Sequence, residues 1–181
     1  MRKIVLVAVN AKYIHSNLAV YSLKAYADAR LRRRKSPASG TVEIEIGEYT
    51  INQQPDSIME DIYKRRPDLL CFSCYIWNIR MIRELLPELG KVLPDTEIWL
   101  GGPEVSYDPV RLLEQLPQVT GIMKGEGEET FAVLAERGRR TRGQTWRMWR
   151  GSPGGTVWGR YRTIPGGSPW IWTRFLLSTR I

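Results

Sequence analysis

The chain is poor in the side chains that most often do chemistry. Its 181 residues hold one histidine, two cysteines and three phenylalanines. Two cysteines only three positions apart, Cys71 and Cys74, give no disulfide framework and fit a reducing, cytoplasmic setting. One histidine excludes a histidine-rich metal site. No apolar run approaches the ~20 residues that span a bilayer, so no membrane partner is expected. The apolar stretch Ile4–Val9 ends at Asn10 with no small-residue cleavage site, and it reads as a buried strand rather than a leader.

Acidic residues are missing from one part of the chain altogether. Residues 138–181 contain nine arginines and no Lys, Asp or Glu. The whole chain has 27 basic and 19 acidic residues, a net of +8, so residues 1–137 carry 18 and 19, a net of −1. The basic pI therefore belongs to the last segment, which also holds five of the seven tryptophans and half of the sixteen glycines. A domain over 1–137 followed by an Arg/Trp/Gly-rich, disordered tail is the expected organisation.

Within 1–137, five apolar runs alternate with helical patterns. The runs are Ile4–Val9, Val42–Ile46, Leu69–Phe72, Glu97–Leu100 and Gly121–Met123. Val42–Ile46 alternates with period two, as on an edge strand with one wet face, whereas Leu69–Phe72 is continuous, as in a central parallel strand. The spacing predicts helices from Asn17 to about Arg33, with Leu18, Tyr21 and Ala25 on one face, and from a cap at Asp56 or Ser57 to before Pro67. It predicts others from Asn78, weakened at Pro87, from Asp108-Pro109, and from Glu128 to about Arg137. Repeated strand–helix alternation implies an α/β fold, a doubly wound five-stranded parallel sheet of order 2-1-3-4-5. Ligands bind such sheets outside the carboxyl ends of the strands.

The loops at those ends are Asn10-Ala11-Lys12-Tyr13-Ile14-His15, Ser73-Cys74-Tyr75-Ile76-Trp77-Asn78, Gly101-Gly102-Pro103-Glu104-Val105 and Gly125-Glu126-Gly127-Glu128. The first lacks the glycine-rich turn of dinucleotide sites. The glycine pairs would let a bulky ligand approach the backbone, and Tyr75 and Trp77 add flat apolar surface. Singly, each glycine reads better as an ordinary strand-to-helix turn; their falling on one edge weakens that reading.

As a set, these four loops resemble the N-terminal cobalamin-binding domain of cobalamin-dependent radical S-adenosylmethionine enzymes. The resemblance implies a bound corrinoid, with Asn10, Tyr13, His15, Ser73, Tyr75, Gly101, Gly102, Pro103, Glu104, Gly125, Glu126 and Gly127 as its contacts. Ser73 matches the family's serine after the third strand, and Gly101-Gly102 the glycine pair beside the nucleotide tail. The Asp-x-His-x-x-Gly signature of domains that place a histidine on cobalt is absent. The position of His15 suits a cap or a ligand contact better, so the resemblance implies a corrinoid without a protein histidine beneath it. Cys71-x-x-Cys74 straddles a strand end and reads as structural. The resemblance implies an iron–sulfur cluster and S-adenosylmethionine only in intact relatives, because two cysteines cannot supply the three thiolates of that cluster. The chain alone is then a non-catalytic fragment whose radical domain normally follows in the same chain. A flavodoxin-like domain for another flat cofactor is a further possibility.

The last segment has two readings. One is a basic, aromatic arm that binds nucleic acid; the other, preferred, is a product of a shifted reading frame. With permitted third bases, a one-base shift lets residues 144–156 read DLEDVAGLAWRDG and the stretch around 167–175 read REPMDLDTIP. Both strings are like the linker into the radical domain of this family. Sequencing the DNA beyond the stop codon should then reveal a C-x-x-x-C-x-x-C in the shifted frame; a downstream region without one removes the frameshift reading.

Overall fold

The computed structural model describes residues 1–12, 16–33, 41–136 and 155–159, the last by backbone alone. Six strands are present: β1 (Arg2–Asn10), β2 (Val42–Thr50), β3 (Leu69–Ser73), β4 (Glu97–Gly101), β5 (Val119–Gly125) and β6 (Gly155–Gly159). The helices are α1 (Leu18–Arg33), α2 (Pro55–Arg65), α3 (Ile79–Val92), α4 (Pro103–Ser106), α5 (Pro109–Gln115) and α6 (Glu128–Glu136). The sheet order is β2-β1-β3-β4-β5-β6. Strands β1 to β5 are parallel and keep the order 2-1-3-4-5 read from the sequence, with β2 at the edge and β3 inside.

The sixth strand was not anticipated. It pairs antiparallel with β5, Gly121 opposite Gly159 and Gly125 opposite Gly155, within the segment read as a tail. Its glycine-framed sequence, Gly-Thr-Val-Trp-Gly, is too short to show a period. The rest of that segment lies outside the described residues.

The strands alternate their side chains between two core layers. Val5, Val7, Val9, Leu70, Phe72 and Leu100 face the layer under α2, α3 and α5. Ile4, Leu6, Ala8, Leu69, Cys71 and Trp99 face the layer under α1 and α6. Helical spacing points Ile58, Met59 and Ile62 of α2 and Ile79, Ile82, Leu86 and Leu89 of α3 inward; all of these are buried except Met59 and Ile79, which are partly buried against the same layer. The expected face of α1 is corrected. Val20 and Ala27 are buried with Leu23 and Leu31 packed beside them, while Leu18 is 78% and Tyr21 44% exposed. Leu18 and Tyr21 are as apolar as their neighbours, and only the docking of α1 against α6 decides which stripe turns inward.

Cap assignments divide similarly. Asp108 accepts from the Arg111 N–H at 3.2 Å, and Pro109 opens α5, as read. Neither Asp56 nor Ser57 caps α2; Gln54 precedes it and Pro55 fills its first turn. Helix α3 continues through Pro87 to Val92.

A charge cluster pins the outer edge. Glu45 on β2 accepts from Lys3 Nζ at 2.7 Å and from Arg65 Nη1 at 3.1 Å. The lysine contact, then the arginine, holds its carboxyl below the usual carboxylate range against a smaller desolvation effect. A group with a depressed folded pKa stabilises the fold above its unfolded pKa, and that contribution is lost as pH falls through the folded value. Its worth at this partly exposed site is about 0.5–1 kcal/mol. Denaturant titrations at pH 7 and pH 3 should show Glu45→Gln destabilised at pH 7 by about that amount, with the difference from the unaltered chain shrinking at pH 3; a gap that grows on acidification contradicts the assignment.

Candidate functional site at the carboxyl edge

Strands β1 and β3 part at the carboxyl edge. Their register runs from Ile4 opposite Leu69 to Ala8 opposite Ser73, whereas β1 continues beside β2 to Asn10 opposite Thr50. Past Ala8, the Val9 carbonyl has lost its partner strand. Asn78 replaces it: its Nδ2 donates to Val9 O at 2.9 Å and to Ser73 O at 2.9 Å, while its Oδ1 accepts from the Tyr75 N–H at 2.8 Å. Trp77 Nε1 donates to the same Val9 carbonyl at 3.3 Å. Asn78 is fully buried and gives α3 no side-chain cap, so it ties two strand ends together rather than serving as the cap read from sequence.

These bonds fix the aromatic pair. Tyr75 and Trp77 stack with ring centroids 4.5 Å apart and planes 5° apart. Trp77 stays 45% exposed and Ile76 77%. With Leu18 and Tyr107, also exposed, they leave apolar surface around this edge.

On the α1/α6 side the carboxyl end of the sheet carries small side chains, with Ala8 buried and Ser73 and Gly101 partly exposed. Register places Ala8, Ser73, Gly101 and Met123 in one row across β1, β3, β4 and β5. Three small residues in succession make a shallow trough, with Trp99 one step down in the buried layer on the same face. Above it, Asn17 Nδ2 donates to Ser73 Oγ at 3.0 Å, and Asn17 Oδ1 accepts from the Ala19 N–H at 3.1 Å. At the far side Ser22 Oγ donates to Glu128 at 2.8 Å, and a Cβ on Gly127 would stand 3.0 Å from Leu23. The starts of α1 and α6 therefore close over the trough.

The remaining candidate residues are dispersed around this edge. Buried Asn10 donates to Glu48 at 3.2 Å, and Glu48 also accepts from the Tyr21 hydroxyl at 2.6 Å. That carboxylate raises the Tyr21 pKa. Pro103 is exposed and Glu104 half-buried in the first turn of α4. Gly125 and Glu126 are exposed where β5 ends, Gly125 with a φ of 85°. Tyr13 and His15 lie outside the described residues. Residues missed by the sequence reading are Ala8, two before Asn10 on the same face, and Asn17 in its bond to Ser73. The small Ala8 between bulky strand neighbours was a legible sign of the trough.

The two adjacent glycines have different reasons. Gly102 has φ 109° and ψ 173°, and a Cβ there would come within 2.4 Å of the Cys74 carbonyl. The Cys74 N–H donates to Gly101 O at 2.7 Å, holding the two loops at that spacing. Gly102 is thus required by the chain's own backbone. Among the described residues the nearest atoms to a Cβ on Gly101 would be those of Met123, at 3.7 Å or more, which is ordinary contact.

Cys71 and Cys74 belong to opposite core layers. They cannot pair or share a metal, and desolvation pushes the Cys74 thiol up to about 12. Among the described residues no group of three or more His, Cys, Asp or Glu could hold a metal ion. No helix among them is long and apolar enough to cross a membrane. A hollow of about 230 Å³ lies at the opposite edge, between Tyr63, Pro67, Leu93 and Thr96, away from these loops.

Thermal melts should separate the glycines. Gly102→Ala should cost ~1–3 kcal/mol or more from backbone strain alone, whereas Gly101→Ala should change stability little; equal costs would contradict the distinction.

Comparison with known proteins accords with this geometry. The cobalamin-dependent radical SAM methyltransferase TokK of Streptomyces tokunonensis is 32% identical over 84 residues, 46% of this chain and 12% of that protein. The 2-(S-pantetheinyl)-carbapenam-3-carboxylate methyltransferase of Streptantibioticus cattleyicolor is 34% identical over 68 residues, 38% of this chain and 10% of that protein. The chain thus spans about a tenth of the length of the curated relatives it matches. The cobalamin-dependent S-adenosylmethionine radical enzyme OxsB shares the fold, with TM-score 0.54 and 16% identity over 94% of this chain and 23% of that one. The family model for the B12 binding domain matches residues 4–135, well over half of the chain, and the chain belongs to that family.

Proposed function

We propose that this chain holds a corrinoid across its carboxyl edge, with no protein histidine beneath the cobalt, as the cofactor-holding part of a radical S-adenosylmethionine methyltransferase. The observation that carries the reading is the row of small residues Ala8–Ser73–Gly101 under the starts of α1 and α6, with Ser73 and Gly101 partly exposed, at the point where β1 and β3 diverge. The residues present fit such a group. The trough offers neutral, small side chains and one hydroxyl to a nucleotide tail. The Tyr75–Trp77 stack and exposed Ile76 and Tyr107 offer apolar surface to the macrocycle.

Each part of the edge has a separable task. Ser73 and the Gly101 backbone would border a bound tail; Gly102 keeps the loops after β3 and β4 close; Asn78 and Trp77 close the gap between β1 and β3, leaving the edge to hold the macrocycle when bound. A bound corrinoid supplies a cobalt centre able to carry a methyl group. His15 is the chain's sole histidine, and the sequence around it lacks the Asp-x-His-x-x-Gly spacing. Both cysteines are buried, so thiolates for an iron–sulfur cluster must come from residues other than these.

Hydroxocobalamin titrated into the full chain should bind one to one, with a shifted corrin spectrum and co-elution on gel filtration. After reduction to cobalt(II), the EPR spectrum should show no splitting from an axial imidazole nitrogen, with or without ¹⁵N-histidine. Gly101→Leu should weaken binding about tenfold or more, as a filled subsite does, without unfolding the chain. A folded chain that binds no corrinoid overturns the reading, and imidazole splitting overturns its histidine-free form.

A further inference from the structure

Strand β2 ends the sheet on one side, and its outer backbone is covered at particular points. The Arg2 N–H donates to Thr41 O at 2.8 Å, and the Ile51 N–H donates to Asn10 O at 3.0 Å. With the unbroken register between β1 and β2, these bonds turn the N–H and C=O groups of the odd-numbered residues of β2 toward β1. Those of the even-numbered residues point outward. Ile44 is one of the outward residues, and Lys24 Nζ on α1 donates to its carbonyl at 2.7 Å. An i, i+4 pair with Asp28 at 3.0 Å steadies the ammonium there. At the end of the strand the outward Thr50 N–H donates to Gln53 Oε1 at 2.9 Å, and Thr50 O accepts from the Gln53 N–H at 3.1 Å.

We propose that Lys24 guards this edge: by holding the Ile44 carbonyl it stops β2 from pairing with the β2 of a second copy of the chain. An edge strand presents a row of backbone groups that can template another strand, and a lysine placed on it blocks that pairing. Without the lysine, the sequence of β2 suits a two-fold antiparallel pairing. Centred on Ile46, it sets Ile44 opposite Glu48, Glu45 opposite Gly47 and Glu43 opposite Tyr49, so no glutamate faces another. In that alignment Ile44 O is the acceptor for the Glu48 N–H of the other copy, and Lys24 occupies it in both. An approaching strand would also have to bury or displace the ammonium. Among the described residues no partner takes the outward backbone groups of Ile46 and Glu48, so the guard acts at one acceptor rather than along the whole strand. The proposal does not depend on what the carboxyl edge binds.

Lys24→Met removes the ammonium and keeps the stem and a good helix former. In sedimentation velocity over a concentration series, the full chain carrying Lys24→Met should self-associate about tenfold or more tightly than the unaltered chain, because the bond at Ile44 becomes free to form in both copies. Lys24→Ala should associate likewise. Lys24→Arg keeps a donor, and Asp28→Asn removes only the pair within α1, so both should behave as the unaltered chain. Amide hydrogen exchange locates the contact. The Ile46 and Glu48 amides should exchange rapidly in the unaltered chain and gain protection with concentration in Lys24→Met. Four results each overturn the proposal: folded Lys24→Met and Lys24→Ala chains that associate no more tightly, association that leaves the Ile46 and Glu48 amides unprotected, equal association by Asp28→Asn, or an unaltered chain whose Ile46 and Glu48 amides already gain protection with concentration.

Discussion

The Val9 carbonyl is the atom around which this edge is organised. A parallel sheet that splits must leave a backbone acceptor without its strand partner, and burying it unsatisfied would cost ~1–3 kcal/mol. The chain meets that demand with Asn78, whose amide spans both strand ends and the loop after β3. Once Asn78 is placed, Trp77 is placed, and Tyr75 stacks on it. The crevice that a doubly wound sheet ordinarily offers to ligands is occupied by the protein's own amide. A ligand is left with the top of the edge and the trough on the α1/α6 side.

That trough has a different origin. It comes from three small residues meeting by register, Ala8, Ser73 and Gly101, each from a separate strand. Helix α1 reaches it through Asn17 and helix α6 through the contact of Gly127 with Leu23. Elsewhere on this face the same helices pack over buried Leu6, Cys71 and Trp99, with Phe131 of α6 buried among them. One sheet face thus serves as packed core at its middle and, at its end, as a row of small residues of which Ser73 and Gly101 stay partly exposed.

The sheet order was legible because strand burial writes itself into composition. Leu69–Phe72 is continuous where both faces are covered, and Val42–Ile46 alternates where one is not. What failed were features decided by partners distant in sequence. Leu18 and Tyr21 looked inward until α1 met α6. Asn78 looked like a helix cap because its true partner, Val9, is 69 residues away. The two glycines at 101 and 102 looked like one motif, yet one borders the trough and the other is held by the Cys74 carbonyl. A pair of identical letters gives no hint of that, since φ is set by the neighbouring loop. The strand Gly155–Gly159 was hidden by five residues of weak pattern in an arginine-rich context.

That strand has a consequence for reach. Because β6 runs against β5, it begins beside Gly125 at the crest and ends beside Gly121. Four residue steps at roughly 3.4 Å each carry its end about 14 Å back toward the other edge of the sheet. The backbone therefore leaves Gly159 on the far side of the sheet from the carboxyl edge that carries the candidate site.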